Sequence, residues 1–599
     1  MYFPLFITTV LALIRASTAE IVESFHDVHA KDFDFVIIGG GTAGNVVANR
    51  LTENPGIRVL VLEAGGSPDG VLNISVPLFC TRATPLTPED WNFTTTVQPG
   101  LNNRSIAFPR GHVLGGSSSV NFMAYTRGTS EDWDRYARTT GDSGWSWNNM
   151  QKYFRRNEKW MVPADHRNTA GEFNPAVHSF TGINSVSLAG FPWPVDSKIV
   201  EATRQSKDEE FHFNLDYNSG KNLGVGFVQS TIKDGARSSS ATSYMAPQFS
   251  NRKNLHVVLH AQVARILGTS KNKGQTSFDT VEFTDGVGGS TIRVQAKREI
   301  ILSAGTIQSP HILMNSGIGD ENALKELGVK AVHHLPSVGQ NLSDHNIITS
   351  FWSVNAKDSE TYDLMERDAA VANEFINQWE KTRTGPLVDG IFNTVAFVRF
   401  PPDSDIFKQF PNHDPSPGPN TAHVELIPMN GILRPPIPTS GHYLTISVAL
   451  LQPSSRGAIT LRSNNPFDPP LINPNYFSND FDIVLLREGV KAARKMITFP
   501  GLDDYIIAPF NNNATTDAEI EQFIRNGVAT FSHPVSTCAM SPRGADHGVV
   551  DPDLRVKGVD GIRVVDASVL PFTPSGHTQA PTYAVAERAS DLIKSQWRI

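Results

Sequence analysis

Two histidines and one glycine run are the residues of this sequence best suited to chemistry. His533 stands in FSHPVSTCAM (Phe531–Met540) and His577 in PSGHTQAP. An imidazole with its ordinary pKa of about 6.5 can take a proton from a hydroxyl near neutral pH. Pro534 restrains His533 to extended backbone angles and so fixes where its ring points. A lone histidine is more often a hydrogen-bonded core residue, so its chemistry depends on what the fold brings beside it. Ser532 and Ser536 next to His533 would suit a hydrolase, but no G-x-S-x-G elbow is present. No H-E-x-x-H or Cys/His cluster suggests a metal, and His333-His334 reads as a strand or turn pair.

The glycine run lies near the other end of the chain, in DFVIIGGGTAGNVVANRLTENPGIRVLVLEAGG from Asp34. Phe35–Ile38 is a short apolar strand, Gly39, Gly41 and Gly44 fall in G-x-G-x-x-G register, and Asn45–Leu51 continues at helical spacing. Asn54-Pro55-Gly56 breaks the helix, and Arg58–Leu62 is a second buried strand ending at Glu63. Gly39 permits the tight turn. Gly41, with Thr42 and Ala43 after it, lets backbone amides approach a pyrophosphate at the helix N-terminus. Gly44 lets helix and strand pack closely, and Glu63 is placed to accept from a ribose diol. The unit reads as a dinucleotide site.

The chain has 599 residues, 39% apolar and 19% charged, enough apolar material for a large core. Its net charge of −8 and lack of basic runs argue against nucleic-acid binding. Residues 1–19 read as a secretory signal: an apolar stretch, Tyr2–Ile14, precedes Ser17 and Ala19 in a small-x-small pattern and is too short to span a bilayer. Sequons at Asn73, Asn92, Asn103, Asn341 and Asn513 suit an exported chain. Cys80 and Cys538 are the only cysteines; they can pair, but two separate buried thiols are the favoured reading. A secreted enzyme would meet almost no free NAD, whereas a tightly held FAD survives export.

Later blocks are more specific. PRGHVLGGSSSVNFMAYTR (Pro109–Arg127) and REIILSAGTIQSPHILMNSGIG (Arg298–Gly319) resemble the two signatures of the glucose-methanol-choline (GMC) oxidoreductases, closest to the fungal aryl-alcohol oxidases. The likeness runs from about Asp32 to the C-terminus and closes with GIRVVDASVLPFTPSGHTQA (Gly561–Ala580). It implies that Gly115, Gly116, Ser117, Ser118 and Asn121 lie along the flavin, and that Val263, in LHVVLHAQVARIL (read as β-ribbon), meets the adenine side. Asp566 and Ala567 would reach the phosphates or ring, and Thr578 and Gln579 the isoalloxazine. Val120 stands where some relatives carry a flavin-linking histidine, so the FAD is expected to be noncovalent.

The same resemblance implies an α/β chain: a Rossmann-like FAD-binding domain interleaved with a substrate-binding domain on a mixed or antiparallel sheet with helices. Residues 32–330 would supply most of the FAD domain, 331–530 mainly the substrate domain, and 531–599 the return carrying the histidines. His533 would be the base and His577 its partner, so that a primary aromatic or allylic alcohol loses a hydride to flavin N5 and a proton to His533. Reoxidation by O₂ would give hydrogen peroxide. A quinone-dependent alcohol or sugar dehydrogenase is the alternative within this chemistry, and an FAD-containing hydroxynitrile lyase the alternative outside it. The partners expected are a small alcohol and an electron acceptor, with no nucleic acid, no membrane and a monomeric chain. Phe122 and Ser532 stand where the resemblance leads one to expect tyrosine and an aromatic residue, which implies a wider, less aromatic entrance; Phe122 and Phe392 would still form pocket walls, and Phe397 reads as core.

Overall fold

The computed structural model describes residues 20–28, 30, 32–272, 275–285 and 289–599; the proposed signal segment 1–19 lies outside the described residues. Parallel strands Glu20–Val22, Leu255–Val258, Val59–Leu62, Phe33–Ile38, Thr291–Leu302 and Ile562–Val564 form the first sheet. The strands Phe33–Ile38 and Val59–Leu62 are almost wholly buried, as continuous apolar runs must be when helices cover both sheet faces. The C-terminal helix Gln579–Trp597 covers the helix Gly44–Leu51, and the buried carboxylate of Glu587 accepts from Arg50 (2.7 Å). Segments from both ends of the chain therefore build one sheet, and the fold is the interleaved α/β arrangement.

LHVVLHAQVARIL does not form one ribbon. Leu255–Val258 joins the parallel sheet, His260 turns the chain at φ +55°, and only the strand from Ala261 pairs antiparallel with Gln275–Asp285. Continuous apolar character in HVV marks a two-sided burial that a ribbon strand does not need.

The second large sheet is antiparallel, in the order Ile506–Pro509, Asn346–Val354, Tyr443–Leu450, Val424–Asn430, Thr394–Val398, Gly224–Phe227. Its outermost strand, Gly224–Phe227, comes from the 32–330 stretch, so this sheet also gathers distant segments. Alternation along a strand sends every second side chain to one face. Register places Thr349, Ser447 and Ile427 in one row of that face and Phe351, Thr445 and Met429 in the next. The opposite side is closed by the helix Asp480–Met496, whose Phe481, Leu485 and Leu486 are fully buried. Cys80 and Cys538 are both buried free thiols. No helix among the described residues is long and apolar enough to cross a membrane.

Candidate active site

A cavity of about 530 Å³ runs between the two sheets. Its walls include every site residue named from the sequence except Gly44 and Gly115. Those two act from behind. A Cβ on Gly44 would lie 1.9 Å from the Gly39 carbonyl oxygen, so the helix start rests on the strand end. Gly115, at φ +93°, donates its amide to the Gly40 carbonyl (2.7 Å) and ties the second loop to the first.

One end of the cavity fits a dinucleotide. Gly39, Gly41, Thr42 and Ala43 line it, and no side chain caps the helix Gly44–Leu51 that follows, so its first amides face an anion's place. Gly116 crosses close to Gly41: a Cβ on Gly116 would come 2.9 Å from the Gly41 Cα. The Glu63 carboxylate accepts from the Gly40 and Gly65 amides (both 2.8 Å) and lines the cavity beside Ala261, Gln262 and Val263. Burial pushes its pKa up to about 7; each oxygen still has a lone pair for a ribose hydroxyl. Asp566 is more committed than the sequence suggested. Its carboxylate accepts from Gly305 N (2.9 Å), the Ser309 hydroxyl (2.6 Å) and Ser568 N (2.8 Å), pinning the start of the helix Gly305–Asn315. Asn121 donates to Gln579 (2.8 Å) and accepts from the buried Arg237 (2.8 Å).

At the other end the two imidazoles meet, with ring centroids 5.0 Å apart and planes at 79°. They do not orient each other. Nδ1 of His533 lies 3.0 Å from Nδ1 of the fully buried His345. His577 donates through Nε2 to Glu425 (2.9 Å), and its amide is fixed on the Thr126 hydroxyl (2.6 Å). Nε2 of His533 and Nδ1 of His577 are thus the nitrogens left for a ligand. For His533 Nε2 to present a lone pair, the proton must sit on Nδ1 and be donated to His345, an arrangement this contact accommodates.

The loop around His533 is held as tightly. Asp344 accepts from the His533 amide (2.8 Å), the Thr530 hydroxyl (2.6 Å) and the Tyr476 hydroxyl, and Arg110 donates to the Ser532 carbonyl (2.7 Å). Burial pushes Asp344 up to about 6 in spite of these donors. Ser532 and Ser536 both adopt left-handed backbone (φ +61° and +77°), strain that only a fixed surrounding sustains. Phe531 packs on both imidazoles, at 4.4 Å from His533 and 5.0 Å from His577, and Phe392 lies over His577 at 6.1 Å.

Burial first, then the neighbouring His577, His345 and Arg110, hold the His533 pKa well below 6.5. A histidine whose charged form is disfavoured stays neutral to lower pH. The rate constant for cofactor reduction by substrate is therefore expected to be level from about pH 6.5 upward and to fall only well below it. Stopped-flow reduction between pH 4.5 and 8.5 checks this; a rate still climbing through pH 7 would contradict it.

Sequence reading missed His345, Asp344, Glu425 and Arg110. Glu425 had a signal: in HVELIPMN it falls on the cavity-facing parity of an otherwise apolar strand. The expected loss of aromatic lining is not what the walls present. Trp91, Phe93, Phe351 and Phe531 line the cavity with Phe122 and Phe392, because rings from other segments replace those absent at the positions considered. Phe397 is buried core.

Comparison with known proteins agrees with this geometry. The chain matches the family described as GMC oxidoreductase over residues 33–347 and 453–586. It is 38% identical over 600 residues to dehydrogenase eriK of Hericium erinaceus, with 98% of each chain covered. It is 38% identical over 582 residues to pyranose dehydrogenase 3 of Leucoagaricus meleagris (94% of this chain, 93% of the other). A fungal aryl-alcohol oxidase structure superposes with a TM-score of 0.81 at 25% identity, covering 95% of this chain and all of that one. The chain belongs to the GMC oxidoreductase family and is an FAD-dependent oxidoreductase.

Proposed function

We propose that the protein oxidises primary alcohols with an apolar, aromatic or allylic body to aldehydes, with His533 as the base. The observation that carries this is the pairing of two anchored imidazoles with a wall rich in apolar and aromatic side chains. Three wall hydroxyls are already engaged, Thr349 with Ser447 (2.7 Å) and Thr445 on the Gly431 carbonyl (2.7 Å). Ile347, Phe351, Ile427, Met429 and Ile432 fill the rest. An apolar or aromatic body suits these side chains better than a polyol, each of whose hydroxyls left unpaired on burial costs about 1–3 kcal/mol.

FAD, when bound, supplies the hydride acceptor. His533 Nε2 removes the hydroxyl proton while Nδ1 keeps its bond to His345. His577, fixed by Glu425 through Nε2, turns Nδ1 toward the substrate hydroxyl group, and Phe531 and Phe392 shield that end from water. Val120 offers no nucleophile, which keeps the flavin noncovalent. O₂ is the acceptor in the leading reading, with hydrogen peroxide as product. A quinone acceptor is the second reading, favoured by the two relatives named as dehydrogenases. We also propose that the chain is secreted, on the apolar run at residues 1–19.

An anaerobic panel read by flavin absorbance tests the reading. Benzyl or cinnamyl alcohol is expected to bleach the flavin at least about tenfold more efficiently than glucose, since a mainly apolar and aromatic wall favours an apolar body by that much or more. Preference for the sugar would overturn it, and bleaching by any alcohol excludes a lyase. Admitting air, then benzoquinone, separates the acceptors by whether peroxide forms.

A further inference from the structure

Two arginines, Arg110 and Arg434, line the cavity; Arg110 donates to the Ser532 carbonyl (2.7 Å), whereas among the described residues no donor of Arg434 is engaged. Its guanidinium carbon sits 5.4 Å from the centre of the Phe122 ring, and it lines the same cavity as His533 and His577. Part of the side chain is open to solvent, which places it at the mouth. Among the described residues it makes no ion pair and no hydrogen bond.

The acids that could neutralise it are committed elsewhere. Asp363 accepts from the Ile432 and Tyr443 amides (3.0 and 2.9 Å), and Glu366 pairs with Arg82 (2.8 Å). Crowding around the guanidinium depresses its pKa, and the only group acting against that is the buried Cys80 thiol, itself pushed up to about 11 and so neutral. Arg434 lies four residues beyond the strand Val424–Asn430, and the chain between them is fixed by Asp363 on the Ile432 amide and by the Thr445 hydroxyl on the Gly431 carbonyl. The guanidinium's contact is the Phe122 ring, which leaves its donors open to a ligand in the cavity.

We propose that Arg434 is a specificity-determining residue that receives a carboxylate at the end of the substrate opposite its hydroxyl, so that the preferred substrates are hydroxymethyl-bearing aromatic or unsaturated acids. This rests on the alcohol-oxidation reading and names the class of alcohol within it. The fork of an arginine suits a carboxylate bidentately, and Phe122 with the bound apolar body shields the pair from water.

The test compares 4-(hydroxymethyl)benzoate with its methyl ester on the FAD-loaded enzyme. Wild type is expected to favour the acid by about 10- to 100-fold in kcat/KM, carried by KM and reduced by added salt. In Arg434→Met the acid-to-ester ratio falls to about one; in Arg434→Lys it stays in between. Benzoate binding, read from the flavin spectrum, should weaken by a similar factor in Arg434→Met, and flavin content and melting temperature show that each variant is folded. A wild-type ratio near one, or a ratio kept in Arg434→Met, overturns the assignment while leaving alcohol oxidation in place. If neither compound bleaches the flavin and a sugar does, alcohol oxidation of this class falls, and the assignment with it.

Discussion

His533→Ala is expected to purify yellow, with flavin content like the wild type, and to lose on the order of 10²–10⁴ or more in the rate of flavin reduction by alcohol. The size follows from what the imidazole supplies. With Nδ1 held by His345 at 3.0 Å and the amide held by Asp344 at 2.8 Å, the ring has one free nitrogen and little freedom to move. Removing it takes away the imidazole placed as base; His577, bonded to Glu425 through Nε2, still presents Nδ1, and what it can supply in place of His533 sets where in that range the loss falls. Flavin content should survive because the glycines and Glu63 at the far end of the cavity are untouched. Single-turnover reduction of the variant near wild-type speed would remove His533 from the chemistry.

Gly44→Ala is expected to come out nearly colourless and destabilised by about 3 kcal/mol, the upper part of the usual overpacking range. Its Cβ would stand 1.9 Å from the Gly39 carbonyl oxygen and 3.3 Å from Ile37 Cγ2, both on the strand that the helix must touch. Neither a backbone carbonyl nor a buried β-branched side chain can yield cheaply, so the helix start has to move, and with it the amides that would meet the pyrophosphate. Gly41→Ala gives the contrast. The nearest protein atom to its Cβ is 3.8 Å away, so the chain itself accommodates it, and its loss of flavin would report on what occupies the cavity. The flavin-to-protein absorbance ratio with thermal melting checks both. A stoichiometric, normally melting Gly44→Ala would mean that the close crossing of helix and strand is not required.

These two variants mark what could be read from sequence and what could not. The turn at Gly39–Gly44 is a local device: strand, turn, helix and Glu63 all fall within thirty residues, and the steric demands on each glycine follow from backbone geometry within that span. His533 and His577 stood out because each sits in a tight loop of unusual composition. Their partners did not. Glu425 lies 152 residues from His577, and His345 lies 188 residues from His533. Nothing in NLSDHNIITS marks His345 as the residue that meets another ring's Nδ1. Arg434 likewise reads as one residue of a proline-rich loop, GILRPPIPTSG, until the structure lays it on Phe122.

The sequence by itself determined the dinucleotide-binding unit, because it depends on short-range spacing and on a conformational limit of glycine; the interleaving of distant segments and the choice of the two imidazoles came from the resemblance of its later blocks to the GMC oxidoreductases. Only the tertiary structure decided which nitrogen of each imidazole is available, how the base is kept neutral, and that Arg434 stands in the cavity wall with no hydrogen-bond partner among the described residues. Those properties come from burial and from hydrogen bonds between strands far apart in the chain, and a field or a lone-pair direction exists only once the strands are side by side.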